Sequence, residues 1–590
     1  MNLLSNGLSI LVDHWQLAVS ILALLYAGQR LVSVTLRAIL GDSLTTIEYV
    51  SLGLAGWLAP VSLLSLLWMS VGMQQIQQSW IPFWLLIVII ILPLSRFKMR
   101  PKPDSTPTFV FLILFIISAI LLRLAFVSGT VFPLYFDSAT HYDLIKNVLG
   151  NRIWSASTYY HLGFHFLAGF VTSTAQANIT SGMLILGQVV LAVLPVSVFF
   201  LVRHETQSKA AGIFAVILSA YGWYMPAHAV NWGKYPALMG LGLLPFGLSL
   251  MYLIHRRGRE TSPSKRASLY ALSGVVILLS GFAHSRTLVV YAIVILAWFT
   301  GMWWQKLPKV PRVLMFLIVA AALTTEVVFI RQQEILARLF DPYLNVGLPI
   351  TILVLLLSVF ALKAHPGSTF VCFISICLLL GSVFIPVTGL VPGYGDLTLL
   401  DRPFVEMLLF LPLAWLGGFG LAGMENYLRN SRFGSHLRME YVSLFVLALV
   451  TIYSVARYDF RPSDCCAIVG KDDVVAMDWI DGQLPVDARI GIAVTEMKVM
   501  ASDSFEGYSG GDAGIWITPL IGRKTSPLPY VSDFGQQNIL DSLCRSDIRY
   551  LYVGETGQRF DDSQLNANPA WYKPLLFMPG TKVYEVIGCE

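Results

Sequence analysis

Asp137 and His141 stand one helical turn apart in Tyr135-Phe136-Asp137-Ser138-Ala139-Thr140-His141-Tyr142-Asp143, just after a long apolar run. Residues at i and i+4 share a helical face. A carboxylate and an imidazole so placed can work together, the carboxylate as a general base on a hydroxyl and the imidazole as its orienting partner. The same aspartate would also serve as the N-cap of a helix over 138–150, accepting an orphan main-chain N–H. Asp143 lies two residues beyond His141 and faces elsewhere, but belongs to the same candidate binding set.

Other polar groups recur in neighbouring segments. His161 and His165, in Tyr159-Tyr160-His161-Leu162-Gly163-Phe164-His165, form a second i, i+4 pair. With Asp137 they make a candidate set for a divalent metal, or else they are interfacial residues bonding headgroups and nearby loops. Lys234, in His228-Ala229-Val230-Asn231-Trp232-Gly233-Lys234, is a point charge suited to a phosphate, or a snorkelling lysine in an aromatic belt. His284-Ser285-Arg286 separates two short apolar runs, 267–283 and 287–304: either it is the tight outer turn between two helices, or Arg286 lies deep in the bilayer, where a charge is costly and usually functional. Arg402 stands beside Asp401 at the start of an apolar helix, with Glu406 one turn on. Its guanidinium fork matches phosphate oxygens, and a local ion pair with either acid is the alternative.

The elements that must position these groups are membrane helices. Of 590 residues, 56% are hydrophobic and 13% charged, about half the charged share of a soluble domain. Net charge is +12 over residues 1–456 and −7 over 457–590. The basic excess follows topology and needs no nucleic-acid partner. The first residues carry no positive charge ahead of their apolar stretch and read as an ordinary first span. About fourteen spans are expected, near 9–28, 46–72, 79–95, 107–127, 182–202, 210–226, 236–255, 267–283, 287–304, 313–330, 346–363, 368–388, 403–424 and 440–456. Basic residues at 96–102, 256–266, 306–312 and 429–438 gather on one set of alternate loops, which the positive-inside rule makes cytoplasmic. Asp137, the 128–181 loop and the C-terminal part then face outward. Residues 138–150, 158–176 and 331–345 read as short amphipathic helices in the interface.

From about 457 the chain alternates helix-like (473–482, 537–544) and strand-like (489–494, 550–553, 581–587) segments, which fits a small α/β domain. Cys465, Cys466, Cys544 and Cys589 lie in it, where disulfides are allowed but their pairing is open. Cys372 and Cys377 read as packing residues in a span. The expected organisation is an N-terminal membrane module (1–104), a main membrane domain (105–456) and an extracytoplasmic α/β domain (457–590).

In its first-loop acid, its interface helices and its outer domain after a helical bundle, the chain resembles the GT-C superfamily of membrane glycosyltransferases. The resemblance covers the architecture of about 105–590 and, residue by residue, Asp137 alone. It implies a polyprenyl-phosphate-linked sugar as donor and a glycan, lipid or protein as acceptor, with Asp137 as general base and inversion at the anomeric carbon. Arg402, Lys234 and Arg286 are phosphate contacts by position. The first loop lacks an Asp-x-Asp pair, which leaves a metal open, and the Trp-Trp-Asp motif of oligosaccharyltransferases is absent, which points to transfer of a single sugar. The rival expectations are a flippase for lipid-linked sugars and a non-enzymatic envelope-assembly factor. A flippase commonly carries polar groups at the midplane and an internal repeat; only Glu326 and Arg286 are candidates for the first, and no repeat is evident.

Overall fold

Residues 2–41, 43–70, 106–152, 160–257, 262–387, 397–430, 439–497 and 507–589 are described by a computed structural model. Among them, eleven helices are long and apolar enough to cross a membrane, from Trp15–Leu40 to Arg402–Arg429. A twelfth arises if Glu334–Val346 and Leu348–Ala364, which meet at 83°, form one broken span. Met439–Arg457 is a further, shorter apolar helix. The expected span at 79–95, the basic stretch 96–102, Arg259, Tyr159, the 393–396 turn and most of the basic loop before Met439 lie outside the described residues. Of the other thirteen expected spans, eleven overlap these long apolar helices, 346–363 overlaps Leu348–Ala364 and 440–456 overlaps the shorter Met439–Arg457, and the chain is a multi-pass membrane protein.

The boundaries moved where polar residues find partners inside the bundle. The first span runs from Trp15 to Leu40 rather than ending near residue 28. Gln29 donates to Ser33 Oγ, and Ser33 Oγ donates to the Tyr49 carbonyl. With those groups satisfied, the helix continues through residues that look like a polar exit. The His284-Ser285 break does divide two helices, Pro263–Ala283 and Arg286–Lys306. Leu348–Ala364 packs along Phe410–Arg429 at a distance only glycine permits. A Cβ on Gly420 would lie 2.5 Å from Leu357 Cβ, and one on Gly423 would lie 2.3 Å from the Phe360 carbonyl, the small-residue contact by which membrane helices associate closely.

One expectation is overturned. The described part of the 158–176 segment, from residue 160 on, does not lie in the interface as an amphipathic helix. The helix Gly163–Ala175 is buried along all of its length except Ser173, wedged among the spans. Its Gly-Phe-His-Phe-Leu-Ala-Gly sequence has no polar face, and Gly163 sits so close to the Ala283 main chain that a Cβ would meet it at 2.8 Å.

Among its described residues the C-terminal domain has one sheet of six strands: β1 (Arg489–Glu496), β2 (Tyr508–Gly510), β3 (Lys524–Pro529), β4 (Tyr550–Val553), β5 (Tyr572–Phe577) and β6 (Lys582–Val586). The order is β2-β1-β4-β6-β5, with β3 parallel to β1 from Arg489↔Lys524 to Val494↔Pro529. β1 and β4 are parallel, and the pairs β1–β2, β4–β6 and β5–β6 are antiparallel. Alternation along β4 sends Tyr552 to one core with Trp516, Ile490 and Ile492, and Leu551 and Val553 to the other with Phe534, Tyr572 and Tyr584, as the period of two requires. Cys544 and Cys589 form a disulfide across this second face, and Cys465 is bonded to its neighbour Cys466.

This domain is docked on the bundle end that carries Asp137. Phe132 stacks on Trp516 with ring centroids 5.2 Å apart, and Tyr142 meets the same indole edge-on at 5.7 Å. Ala139 is buried in the same cluster, and Lys146 Nζ donates to the Pro519 carbonyl at 2.9 Å. Arg123, buried at its helix end, donates to the Ala220 carbonyl at 3.2 Å and lies 4.7 Å from the Tyr458 ring centre.

Candidate functional site

The helix that presents Asp137 begins one residue earlier than a cap would need. Phe136 is its first residue, and Tyr135, at φ 67° and ψ 160°, is the cap position, with no side-chain cap bond. The aspartate carboxylate is therefore not spent on an orphan N–H. It accepts from Lys234 Nζ at 2.5 Å, with about a fifth of the aspartate side chain exposed. The cap reading is corrected on this point, and so is the snorkelling reading of Lys234. A non-glycine residue at that φ costs about 1–3 kcal/mol. Tyr135 is held there by its N–H, which donates to the Cys466 carbonyl at 2.9 Å, and by Phe136, whose ring centre is 4.3 Å away.

Gly233 brings the two loops together. Its φ is +63°, and a Cβ there would meet Ser138 Oγ at 2.6 Å and Ser138 N at 3.0 Å. Only glycine lets the Trp232–Lys234 turn press against the first turn of the Phe136–Leu149 helix. On the far side of Lys234 stands Asp401, which is ion-paired with Arg286 and also caps its own helix by accepting from Phe404 N at 2.9 Å. Burial alone would raise the Asp401 pKa, but the Arg286 and Lys234 cations outweigh it and hold the carboxyl below the usual aspartate range. Burial likewise works against the Lys234 ammonium, and the Asp137 and Asp401 carboxylates more than offset it. Two acids and two cations thus alternate at one end of the bundle.

Beneath them is a group of histidines. His141 Nδ1 lies 3.1 Å from His165 Nε2, and the His161 and His284 rings are 4.4 Å apart. His284 also stacks on Phe404 at 4.7 Å. His165 is fully buried, so it is not a headgroup contact. Burial lowers His161 to about 4 and His165 to about 3, and it lowers His141 as well. Among the described residues, no three His, Cys, Asp or Glu side chains converge as metal ligands. The candidate metal set is drawn apart: Asp137 to Lys234, His165 to His141, His161 to His284. Asp143 takes no part, and its carboxylate accepts from Asn147 one turn on.

These neutral imidazoles make stability fall in acid. Their folded pKa values lie below the unfolded value of about 6.5, so between those limits the unfolded chain binds more protons. Stability is full above about pH 6.5 and is lost as pH falls toward the folded values, at about 1.4 kcal/mol per unit for each histidine. The thermal midpoint of the purified protein should therefore drop steadily from pH 7 to pH 5, and His165→Asn should flatten that slope. A profile equally steep in the variant would refute the assignment.

A cavity of about 900 Å³ opens between the bundle and the C-terminal domain. The bundle contributes Tyr135, Phe136, Trp232, Arg338, Asp341, Arg402 and Glu406, and the other wall comes from 464–468, 495–496, 509–511 and 557–558. Arg402 lies 3.5 Å from Glu406 and 5.9 Å from the Trp232 ring centre, and its Nε is buried without a hydrogen-bond partner. Arg402 thus faces the cavity. Lys234 and Arg286, the other expected phosphate contacts, are engaged by Asp137 and Asp401. Sequence reasoning missed Arg338 and Asp341. The available signal was a cation and an acid three residues apart in the short 331–345 segment between two spans. It also missed the Arg286–Asp401 pair, since residues 115 apart leave no spacing to read.

Residues 49–384 match the profile of a family of unknown function, DUF6541. That stretch is more than half of the chain and includes Asp137, Lys234, Arg286 and all four clustered histidines. No curated protein matches the sequence.

Proposed function

The chain belongs to this family of unknown function, and we propose that it is a membrane glycosyltransferase, taking a sugar from a polyprenyl-phosphate donor on the outer face of the membrane. The observation that carries the reading is the cavity between bundle and C-terminal domain, with Arg402 in its wall beside Tyr135 and Phe136, the two residues that precede the partly exposed Asp137. The concentration of basic residues on the opposite loops supports an outward-facing site. The inverting GT-C-like scheme fits that geometry. Arg402 contacts the donor phosphate, which is the leaving group, and spreads its charge over a guanidinium fork. Asp137, ion-paired with Lys234, takes the proton of an acceptor hydroxyl as that oxygen attacks the anomeric carbon. The C1–O bond to phosphate breaks on the other face, and the configuration inverts. Arrival of an anionic donor draws the Lys234 ammonium toward the phosphate and frees Asp137 at the step where it is needed. The histidines below orient this layer and keep it neutral.

Arg402→Ala in full-length purified protein should cut kcat/KM for a polyprenyl-phosphate sugar roughly 10- to 100-fold, the worth of a charge-assisted hydrogen bond of about 1.5–3 kcal/mol. Arg402→Lys should recover part of it, since a point charge replaces the fork incompletely. Transfer indifferent to both substitutions would remove Arg402 from the donor site.

A further inference from the structure

The two walls of the cavity differ in charge. The bundle wall holds both of its arginines, Arg338 and Arg402, beside Asp341 and Glu406. The wall built by the C-terminal domain and the strap leading into it holds Asp464 and Glu496 and no cation among its lining residues. Among the lining residues, arginines are thus offered by the bundle wall alone, and the charged side chains of the domain wall are acids. That wall is otherwise rich in hydroxyl, amide and main-chain groups, from Thr495, Ser509, Gly510, Gly511 and Gln558. Across from it stand the aromatic side chains of Tyr135, Phe136 and Trp232. Aromatic rings on one side and neutral and anionic acceptors on the other suit a molecule with C–H faces and hydroxyl edges.

The domain wall is also rigid. β1 and β2 pair at Val494↔Gly510 and Glu496↔Tyr508. Gly511 donates to the Ala493 carbonyl at 2.9 Å, and Gln558 donates to the Gly511 carbonyl at 2.8 Å. A Cβ on Gly511 would lie 2.2 Å from the Gln558 carbonyl, so the two loops touch backbone to backbone. Behind them the buried Asp512 carboxylate accepts from both Gly514 N and Gly554 N, each at 2.9 Å, tying the 510–514 and 554–558 loops into one surface. A preorganised surface of this kind binds without first ordering its own loops.

We infer that the C-terminal domain supplies the acceptor-binding wall of the cavity, through Glu496, Ser509 and Gln558, and that the acceptor is a glycan without negative charge. This rests on reading the cavity as a transfer site. Glu496 and Gln558 accept and donate to sugar hydroxyls, and the Glu496 carboxylate excludes uronate and phosphate substituents at this end. A peptide acceptor would find no apolar side-chain pocket among these residues.

The test is saturation-transfer NMR on the full chain in nanodiscs, with neutral tetrasaccharides of mannose, glucose, galactose and arabinose as probes and a tetragalacturonate as the acidic counterpart. At least one neutral probe should receive saturation, at least fivefold more strongly than the tetragalacturonate. Gln558→Ala should lower that signal about tenfold. Glu496→Lys, at an exposed position that leaves folding intact, should reverse the preference toward the tetragalacturonate. Silence from every neutral probe, equal uptake of the acidic one, or a preference unmoved by Glu496→Lys overturns the assignment. A peptide library that competes at this wall overturns it too. Probe binding that responds to these variants in a protein with no transferase activity would uphold the wall and sink the transferase. Transfer unaffected by Glu496→Lys and Gln558→Ala would do the reverse.

Discussion

Asp137→Asn in purified full-length protein should lower sugar transfer from a polyprenyl-phosphate donor by about 10²–10⁴-fold, the usual worth of a positioned general base, with unchanged elution and thermal midpoint. The size of the loss follows from what the residue touches. Its carboxylate is not a helix cap and is ion-paired with Lys234, so its charge is available to chemistry rather than consumed by capping. An amide of the same shape can still accept from Lys234, and the Gly233 contact that holds the two loops together does not involve the carboxylate. Folding should therefore survive while proton uptake is lost. A kcat that falls with little change in KM for the donor would place the residue at the acceptor hydroxyl. Near-normal turnover in a well-folded variant would eliminate Asp137 as the base.

Much of this arrangement was legible in the residues themselves, and the division between what was and was not is physical. Spans are written locally, since a run of apolar residues needs no distant partner to be recognised, and the helices at 46–70, 106–129 and 235–257 follow directly. The strand Tyr550–Val553 and the helix Gln537–Arg545 were equally plain. The short edge strand Tyr508–Gly510 and the proline-bearing β3 were not, because both owe their form to β1 beside them. In the site, Asp137, Lys234, His141 and Arg402 stood out as polar groups at the ends of apolar runs. Their pairing did not. Asp137 finds Lys234 across 97 residues, and Arg286 finds Asp401 across 115, and no periodicity encodes such contacts. The burial of His165 was hidden for a related reason: Gly163–Ala175 is too short and too uniformly apolar to show which way it faces, and only the close-packed spans around it turn it inward.

Trp516→Ala should cost about 3–5 kcal/mol, the range for deleting a fully buried aromatic, and its effect should appear in a different domain from the substitution. Trp516 is completely buried, between the sheet core of Ile490, Ile492 and Tyr552 and the rings of Phe132 and Tyr142. The indole N–H has no hydrogen-bond partner there, so the loss is one of packing and not of polar bonding. Phe132 and Tyr142 flank Asp137 in the chain, and Ala139 lies in the same cluster. Emptying the indole site therefore loosens the helix that carries the aspartate, along with the domain wall above the cavity. Hydrogen exchange over 136–149 should accelerate in the variant, and transfer should fall even though no group at the reacting atoms has changed. Trp516→Phe, which keeps a ring against Phe132, should restore most of the protection. If exchange over 136–149 is the same in Trp516→Ala as in the parent protein, the indole does not couple the two domains. The placement of Asp137 would then depend on its other contacts, the Gly233 approach, the Lys234 ion pair and the Tyr135–Cys466 bond among them.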